Sequence, residues 1–149
     1  YTNTIDSGTG FVFTGDASLG YLDSTSFGYA PTAGATSLHS NNLNGPGLAT
    51  LALPGSLVPG TYTVTFDVGN YDNAGFVTIT NAGLRASAVF LVPTSSSTPT
   101  PGSGVQLTWS LTYTLTAGEI AALDFAVDIP SGTNANGSFD NLIISRTCP

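Results

Sequence analysis

The chain has 149 residues, enough for one domain with a sizeable core, so it needs neither a disulfide framework nor a structural metal to fold. Only 7% of its residues are charged, Lys is absent, and the formal net charge is −7. Because phosphate neutralisation requires several basic residues and only Arg85 and Arg146 are present, we expect no nucleic-acid partner. No apolar run approaches the roughly 18 residues of a membrane-spanning helix, so we also expect no membrane insertion.

The chain begins at Tyr1 and contains no Met. We interpret it as a mature secreted protein whose signal peptide has been removed, although an excised domain would give the same pattern. We therefore expect an extracellular or cell-surface location. Residues 1–14 end in the apolar alternation of Phe11 and Phe13. They form either the first strand of the domain or an N-terminal arm that adds a strand to a neighbouring copy.

Strand-like runs recur along the chain, separated by Pro- and Gly-rich turn signals. In residues 61–68 every second side chain is apolar and the others are Thr or Asp, which is typical of a half-buried antiparallel strand. Apart from one helical turn within 117–123, no helical periodicity is present. The prediction is a single all-β domain over residues 1–149, an antiparallel β-sandwich (jelly roll) of about eight to nine strands. The predicted strands are 10–14, 37–40, 47–53, 61–68, 75–80, 85–92, 105–116, 122–129 and 138–146.

Turn chemistry predicts how some of these strands are joined. Asn81-Ala82-Gly83 is predicted to be a turn between two adjacent strands. Residues 93–104 form a Ser/Thr/Pro tract without an apolar anchor, which predicts an exposed, extended loop. Its composition suits O-linked glycans at Thr98 and Thr100; the alternative is a plain long hairpin loop. Asn136 begins the one N-glycosylation sequon of the chain.

Three segments resemble those of secreted galactose-binding-like jelly rolls. They are Ser37-Leu38 before a Gly-rich loop, residues 59–68 (PGTYTVTFDV) and residues 139–144 (FDNLII). Such modules include carbohydrate-binding modules and the surface modules of bacterial exported proteins that carry a PEP-CTERM sorting tail. The resemblance covers roughly residues 37–146; the sorting tail is absent and the N-terminal third matches less well. It implies a β-sandwich and, as in many such modules, a structural calcium bound by the Asp of the last motif, here Asp140.

Asp140 alternates with Leu142 and Ile144, so we expect its side chain to point inward. A buried carboxylate needs a cation or several hydrogen bonds. Because calcium takes about six to eight oxygen ligands, Asp6 or Asp16 with backbone carbonyl groups could complete a calcium site. The alternatives are an ion pair with an arginine, or hydrogen bonds from nearby backbone N–H groups to Asp140.

The residue inventory argues against an enzyme. His39 is the sole histidine, and no Gly-x-Ser-x-Gly sequence supplies a nucleophilic serine. A glycosidase needs two carboxylates across a cleft, but Glu119, the sole Glu, lies in a predicted turn. Asp124 and Asp128 alternate with apolar residues, as on the solvated face of a sheet. We therefore predict a non-catalytic protein.

Our first functional hypothesis is a structural subunit that assembles with copies of itself into a filament, sheath or surface layer. The near absence of charge removes the Lys residues that usually discourage pairing between sheet edges. Phe11 and Phe13 of the N-terminal arm would enter the neighbouring sheet, and the single Cys148 would be available for an intermolecular link.

The alternative is an extracellular carbohydrate-binding module whose partner is a polysaccharide. Sugar recognition uses exposed aromatic rings for stacking, together with carboxylate and amide groups that bind hydroxyls. Trp109 is expected in the core because it shares the apolar face of its strand. The glycan-binding candidates lie in two predicted loops: Tyr71, Asp72 and Asn73 in one, and Asn42 and Asn44 in the other.

Overall fold

The computed structural model describes residues 11–15, 19–23, 36–41, 47–53, 57–70, 81–102, 105–129 and 136–147. These residues form strands and a single short helix, which confirms the all-β prediction. The described residues contain no helix that is long and apolar enough to cross a membrane. The elements are β1 Phe11–Gly15, β2 Leu19–Asp23, β3 Thr36–Asn41, β4 Gly47–Ala52, β5 Gly60–Asn70, β6 Asn81–Ala86, β7 Val89–Phe90, β8 Ser95–Ser97, β9 Val105–Leu115, α1 Ala117–Ile120, β10 Leu123–Ile129 and β11 Asn136–Arg146.

The strands form two antiparallel sheets. One has five strands in the order β1-β4-β10-β6-β7, and the other has six in the order β2-β3-β11-β5-β9-β8. The chain passes repeatedly from one sheet to the other, since β4 lies in the five-stranded sheet, β5 in the six-stranded sheet and β6 in the five-stranded sheet again. Long crossovers of this kind build the predicted β-sandwich.

The alternation seen in the sequence determines which side chains form the core. In β5 the four apolar residues at even positions are each 3% exposed or less, whereas the Thr and Asp residues between them are half-buried. β5 pairs with β9 along its whole length, from Gly60 opposite Leu115 to Asn70 opposite Val105. The buried residues of the two strands are Tyr62, Val64, Phe66, Val68, Trp109, Leu111, Tyr113 and Leu115.

Aromatic rings join the two sheets at the centre of this core. The Phe66 ring lies 5.5 Å from the Trp109 ring and 5.3 Å from the ring of Phe125 on the opposite sheet, measured between centroids. Trp109 is 9% exposed, which confirms its predicted place in the core. Inclined aromatic pairs of this kind add stability beyond the area that they bury.

Two predictions about local structure are wrong. Asn81-Ala82-Gly83 lies within β6, where Gly83 is opposite Ala126, and does not form a turn. Residues 85–92 are not one strand, because the chain turns at Ser87 and Ala88, whose φ angles are 49° and 65°. The turn was missed because Asn81 and Gly83, which favour turns, lie in a strand, whereas the actual turn pairs Ser87 with Ala88, which does not favour turns. The predicted strand 75–80 lies outside the described residues.

The Ser/Thr/Pro tract is more ordered than predicted. Its residues Ser95–Ser97 form the edge strand β8, which pairs with β9. Pro101 is buried, and the Trp109 indole Nε1–H donates a 2.6 Å hydrogen bond to the carbonyl oxygen of Pro99. The tract is therefore anchored to the sheet rather than a free loop, although Thr98 and Thr100 are exposed.

Candidate functional site

The outer face of the six-stranded sheet carries mainly hydroxyl, amide and carboxylate side chains. These alternate with the buried residues of β5 and β9 and continue onto the neighbouring strands β8 and β11. Among the residues of β5, β8, β9 and β11 whose side chains the structure describes on this face, none is aromatic or basic. We call this surface the polar face; it comprises Thr61, Thr63, Thr65, Asp67, Ser95, Ser97, Gln106, Thr108, Ser110, Thr112, Thr114, Asp140, Asn141, Ile143 and Ser145.

Asp67 is held in place by side chains from both neighbouring strands. Its Oδ1 accepts a 2.6 Å hydrogen bond from the Thr108 hydroxyl, and its Oδ2 accepts a 3.1 Å bond from Asn141 Nδ2. Asp140 lies directly opposite Asp67 on β11. Two carboxylates on neighbouring strands therefore lie side by side on the polar face.

A β-bulge in β11 puts Asp140 on the polar face and corrects the prediction that it points inward. The register shifts between Asp140 and Ile143, so that Asn141 and Leu142 are opposite a single residue of β5. Phe139 is buried and the next residue, Asp140, therefore faces outward and is half-buried. Asn141 adopts φ 53°, a left-handed conformation that Asn tolerates better than most residues. One inserted residue reverses the alternation, which a sequence pattern cannot show.

The hydrogen bonding of Asp140 fits one of the predicted alternatives to calcium, in which nearby backbone N–H groups donate to its carboxylate. Its Oδ1 accepts a 2.7 Å hydrogen bond from the backbone N–H of Asn141. Within the described ranges, no three His, Cys, Asp or Glu side chains gather in a group that could hold a metal ion. Asp6 and Asp16 lie outside those ranges, so the calcium site stays a prediction.

The outer face of the five-stranded sheet holds its carboxylate differently. Asp124 accepts two hydrogen bonds from the guanidinium group of Arg85, at 2.8 Å and 2.6 Å. The pKa of Arg85 is raised, chiefly by the hydrogen bond to Asp124 and against the opposing effect of burial. The same guanidinium group lies 5.8 Å from the ring centroid of Phe90. This ion pair satisfies both charges within the sheet.

A groove of about 280 Å³ opens at one edge of the sandwich, where β6 and β7 of one sheet face β8 and β9 of the other. Three aromatic residues line it, Phe90, Trp109 and Tyr113, together with the hydroxyls of Ser96 and Thr98. Phe90 is half-buried, whereas Ser96 and Thr98 are exposed. None of the described lining residues is charged. We call this cavity the edge groove.

All five residues predicted from the sequence to bind glycans lie outside the described residues. The described residues that directly precede them, Asn41 and Asn70, end β3 and β5 at the same end of the six-stranded sheet. Asn41 is opposite Asn136 of β11, which places the sequon at that end as well; only its backbone is described. The candidates that lie outside are Tyr71, Asp72, Asn73, Asn42 and Asn44, together with Cys148 of the assembly hypothesis.

The start of the predicted arm belongs to this chain's own sheet. β1 pairs with β4, and Phe11 packs edge to face against Phe125 with 6.4 Å between ring centroids. This favours the intradomain strand over the arm for residues 11–14. Of Phe13 only the strand position is described.

The groups that organise both surfaces were not predicted from the sequence. The sequence indicates that Thr108 and Asp67 occupy polar positions of their strands, but only the strand register places the two residues opposite one another. Asn141 follows the Asp of the FDNLII segment, and its role depends on the bulge. Phe90 reaches the edge groove because of an unpredicted turn at residues 87–88.

No protein-family profile matches the chain, and no curated protein sequence matches it. Among solved structures, the CBM22-2 xylan-binding domain of Paenibacillus barcinonensis Xyn10C has a TM-score of 0.62 and 16% identity, covering 97% of this chain and 94% of that one. TmCBM61, solved in complex with β-1,4-galactotriose, has a TM-score of 0.57 and 13% identity, covering 94% and 93%. A cyclase from Fischerella sp. TAU has a TM-score of 0.62 and 18% identity, covering 95% and 86%. The chain thus has the β-sandwich fold of carbohydrate-binding modules, as the resemblance in its sequence implied.

Proposed function

We propose that this protein is a non-catalytic, extracellular carbohydrate-binding module that binds a neutral polysaccharide through its polar face. The observation that carries the proposal is the ordered Asp67 carboxylate, held by Thr108 and Asn141 opposite Asp140. The likeness to carbohydrate-binding modules supports it, since several of the matching structures bear that description.

The chemistry of the polar face suits sugar hydroxyl groups. Carboxylates accept charge-assisted hydrogen bonds, which are roughly twice as strong as those between neutral groups. Because Thr108 and Asn141 already orient Asp67, little side-chain freedom remains to be lost when a ligand binds. The four strands β11, β5, β9 and β8 span about 14 Å, which gives an extended ligand several rows of hydroxyl partners. The net charge of −7 disfavours acidic polysaccharides.

The self-assembling subunit, our first hypothesis from the sequence, is less well supported. Residues 11–15 pair with β4 of the same chain, which removes part of the proposed arm from any contact between copies. The similar structures include several carbohydrate-binding modules, and this favours the alternative.

Affinity electrophoresis tests the proposal. The native chain is run through gels that contain xylan, galactan, arabinan or a mixed-linkage glucan, beside Asp67→Asn and Asp128→Asn. Asp128 is the matched control, because it is a half-buried Asp on a strand of the other sheet. We expect at least one polysaccharide to retard the native chain and Asp128→Asn equally. We expect Asp67→Asn to lose about tenfold in affinity, since hydrogen bonds to a charged group contribute most.

Two results would contradict the proposal. One is equal mobility of the native chain with and without every polysaccharide. The other is equal retardation of Asp67→Asn and the native chain, which would move binding away from the polar face. Thermal melts of both variants show whether a loss of retardation comes from a loss of folding.

A further inference from the structure

We infer that the edge groove is a second carbohydrate site, which takes a single neutral sugar ring. The inference rests on the proposed function and deepens it, because it adds a pocket for one residue or branch beside a face that binds an extended chain. The volume of about 280 Å³ lies just below the range of pockets for drug-sized ligands, so it suits one ring rather than an oligosaccharide.

The walls of the groove match the two sides of a sugar ring. A pyranose has an apolar C–H surface that packs on aromatic rings and a periphery of hydroxyl groups that need hydrogen-bond partners. Trp109 supplies the aromatic surface, and Ser96 of β8 and Thr98, which follows β8, supply exposed hydroxyls next to it. Because no described lining residue is charged, the groove selects a neutral ring.

The aromatic wall of the groove is fixed before any ligand arrives. The Trp109 indole donates to the carbonyl oxygen of Pro99 at 2.6 Å and packs on Phe66. Preorganised walls reduce the entropy that binding would otherwise cost.

A buried hydroxyl supplies the independent observation. Tyr113 is 2% exposed, lines the groove, and accepts a 3.3 Å hydrogen bond at its hydroxyl oxygen from the backbone N–H of Leu84. Among the described residues this is its one hydrogen bond, so the hydroxyl hydrogen is left to donate. Burial raises the pKa of Tyr113, which keeps that hydrogen on the oxygen at neutral pH. A buried donor without an acceptor is unfavourable, and a sugar oxygen would satisfy it.

The neighbouring glycine makes room for this hydroxyl. A Cβ atom on Gly83 would lie 2.1 Å from the Tyr113 hydroxyl oxygen, and the φ of Gly83 is 143°. A larger residue at this position would displace the hydroxyl from its place at the groove. The backbone of β6 is therefore shaped around the Tyr113 hydroxyl group.

The chain contains a built-in reporter for this site. Trp109 is its only tryptophan, lines the groove, and faces away from the polar face. We would titrate the full chain with D-galactose, D-xylose, L-arabinose and D-glucose, and follow Trp109 fluorescence and the NMR signal of its indole N–H. At least one sugar should give a saturable change. Tyr113→Phe should weaken binding about fivefold through the loss of one neutral hydrogen bond.

The controls separate this inference from the proposed function. Asp67→Asn should leave the monosaccharide titration unchanged. If Tyr113→Phe does not fold, Ser96→Ala and Thr98→Ala test the rim, since both residues are exposed and each change should weaken binding. No response of Trp109 to any of the four sugars would overturn the groove site, even if polysaccharides retard the native chain. Retardation absent from every gel would overturn the polar-face proposal, even if Trp109 responds.

Discussion

The two outer faces of the sandwich hold their carboxylates in different ways. On the five-stranded sheet, Asp124 forms two hydrogen bonds with Arg85, whose side chain is only 10% exposed. On the six-stranded sheet, Asp67 accepts hydrogen bonds from the Thr108 hydroxyl and the Asn141 side-chain amide. The first arrangement pairs a carboxylate with a guanidinium group, whereas the second orients a carboxylate with hydroxyl and amide donors.

This difference indicates that the outer face of the five-stranded sheet serves stability, whereas that of the six-stranded sheet is suited to recognition. A buried ion pair satisfies its own members and has little to offer a ligand. A carboxylate that hydroxyl and amide groups orient is placed to form charge-assisted hydrogen bonds with sugar hydroxyls. Changes on the first face should therefore affect folding, and changes on the second should affect binding.

The largest effect on stability is expected from Arg85→Met. Loss of the guanidinium group leaves Asp124 as a charge that is three-quarters buried without its cation. Removing one member of a buried pair typically costs about 3 kcal/mol or more. The midpoint of thermal unfolding should fall by about 6–12 °C, and polysaccharide retardation of the protein that remains folded should be unchanged.

The matched control for that change is the double variant Arg85→Met with Asp124→Leu. Replacement of both charges with apolar side chains should recover most of the lost stability. A double variant as unstable as the single one would show that Arg85 acts through its packing on Phe90 rather than through its charge. A loss of glycan binding in either variant would contradict the division between the two faces.

A smaller effect is expected at the bulge of the polar face. Asn141→Ala should cost about 1 kcal/mol, because its φ of 53° is unfavourable for a residue with a Cβ atom. Asn141→Gly removes the same side chain without that backbone cost, so urea unfolding should show it to be the more stable variant. Both variants lose the hydrogen bond to Asp67 and should bind polysaccharide equally weakly. Unequal binding would mean that backbone shape, rather than the oriented carboxylate, determines affinity.

The smallest effect is expected between the sheets, at the helical turn that links β9 to β10. Thr116 and Glu119 form a reciprocal capping box, and hydrogen bonds from Thr116 lower the pKa of Glu119. Since the folded pKa is depressed, the contribution is present above the unfolded pKa and is lost as the pH falls through the folded pKa. Glu119→Gln should therefore melt slightly below the native chain at neutral pH and together with it in acid. A difference that persists in acid would show that the carboxylate charge is not responsible.

Much of the fold could be predicted from the sequence because β5 and β9 alternate strictly between apolar and polar residues. Phe66 and Trp109 were expected inside on that basis, and both are buried. The helical turn at α1 was likewise expected. Asn81-Ala82-Gly83 was mistaken for a turn because its residue types favour turns, whereas packing around Tyr113 requires the glycine in a strand.

The candidate sites were much less predictable. Asp140 was placed inside because its spacing from Leu142 matched the strand alternation, and the bulge at Asn141 reverses that alternation. The edge groove combines Phe90 and Trp109, which lie on different sheets. Such a combination depends on how the sheets stack, and no local pattern of residues encodes it.

The decisive measurement is amide NMR of the labelled protein during titration with oligosaccharides from a polysaccharide that retards it. We predict that the largest shifts occur around Asp67, Thr108 and Asn141, including the side-chain amide of Asn141. Asp124 and Asp128 on the other sheet should hardly respond. Shifts that centre on the five-stranded sheet, or no shifts at saturating oligosaccharide, would contradict a glycan site on the polar face.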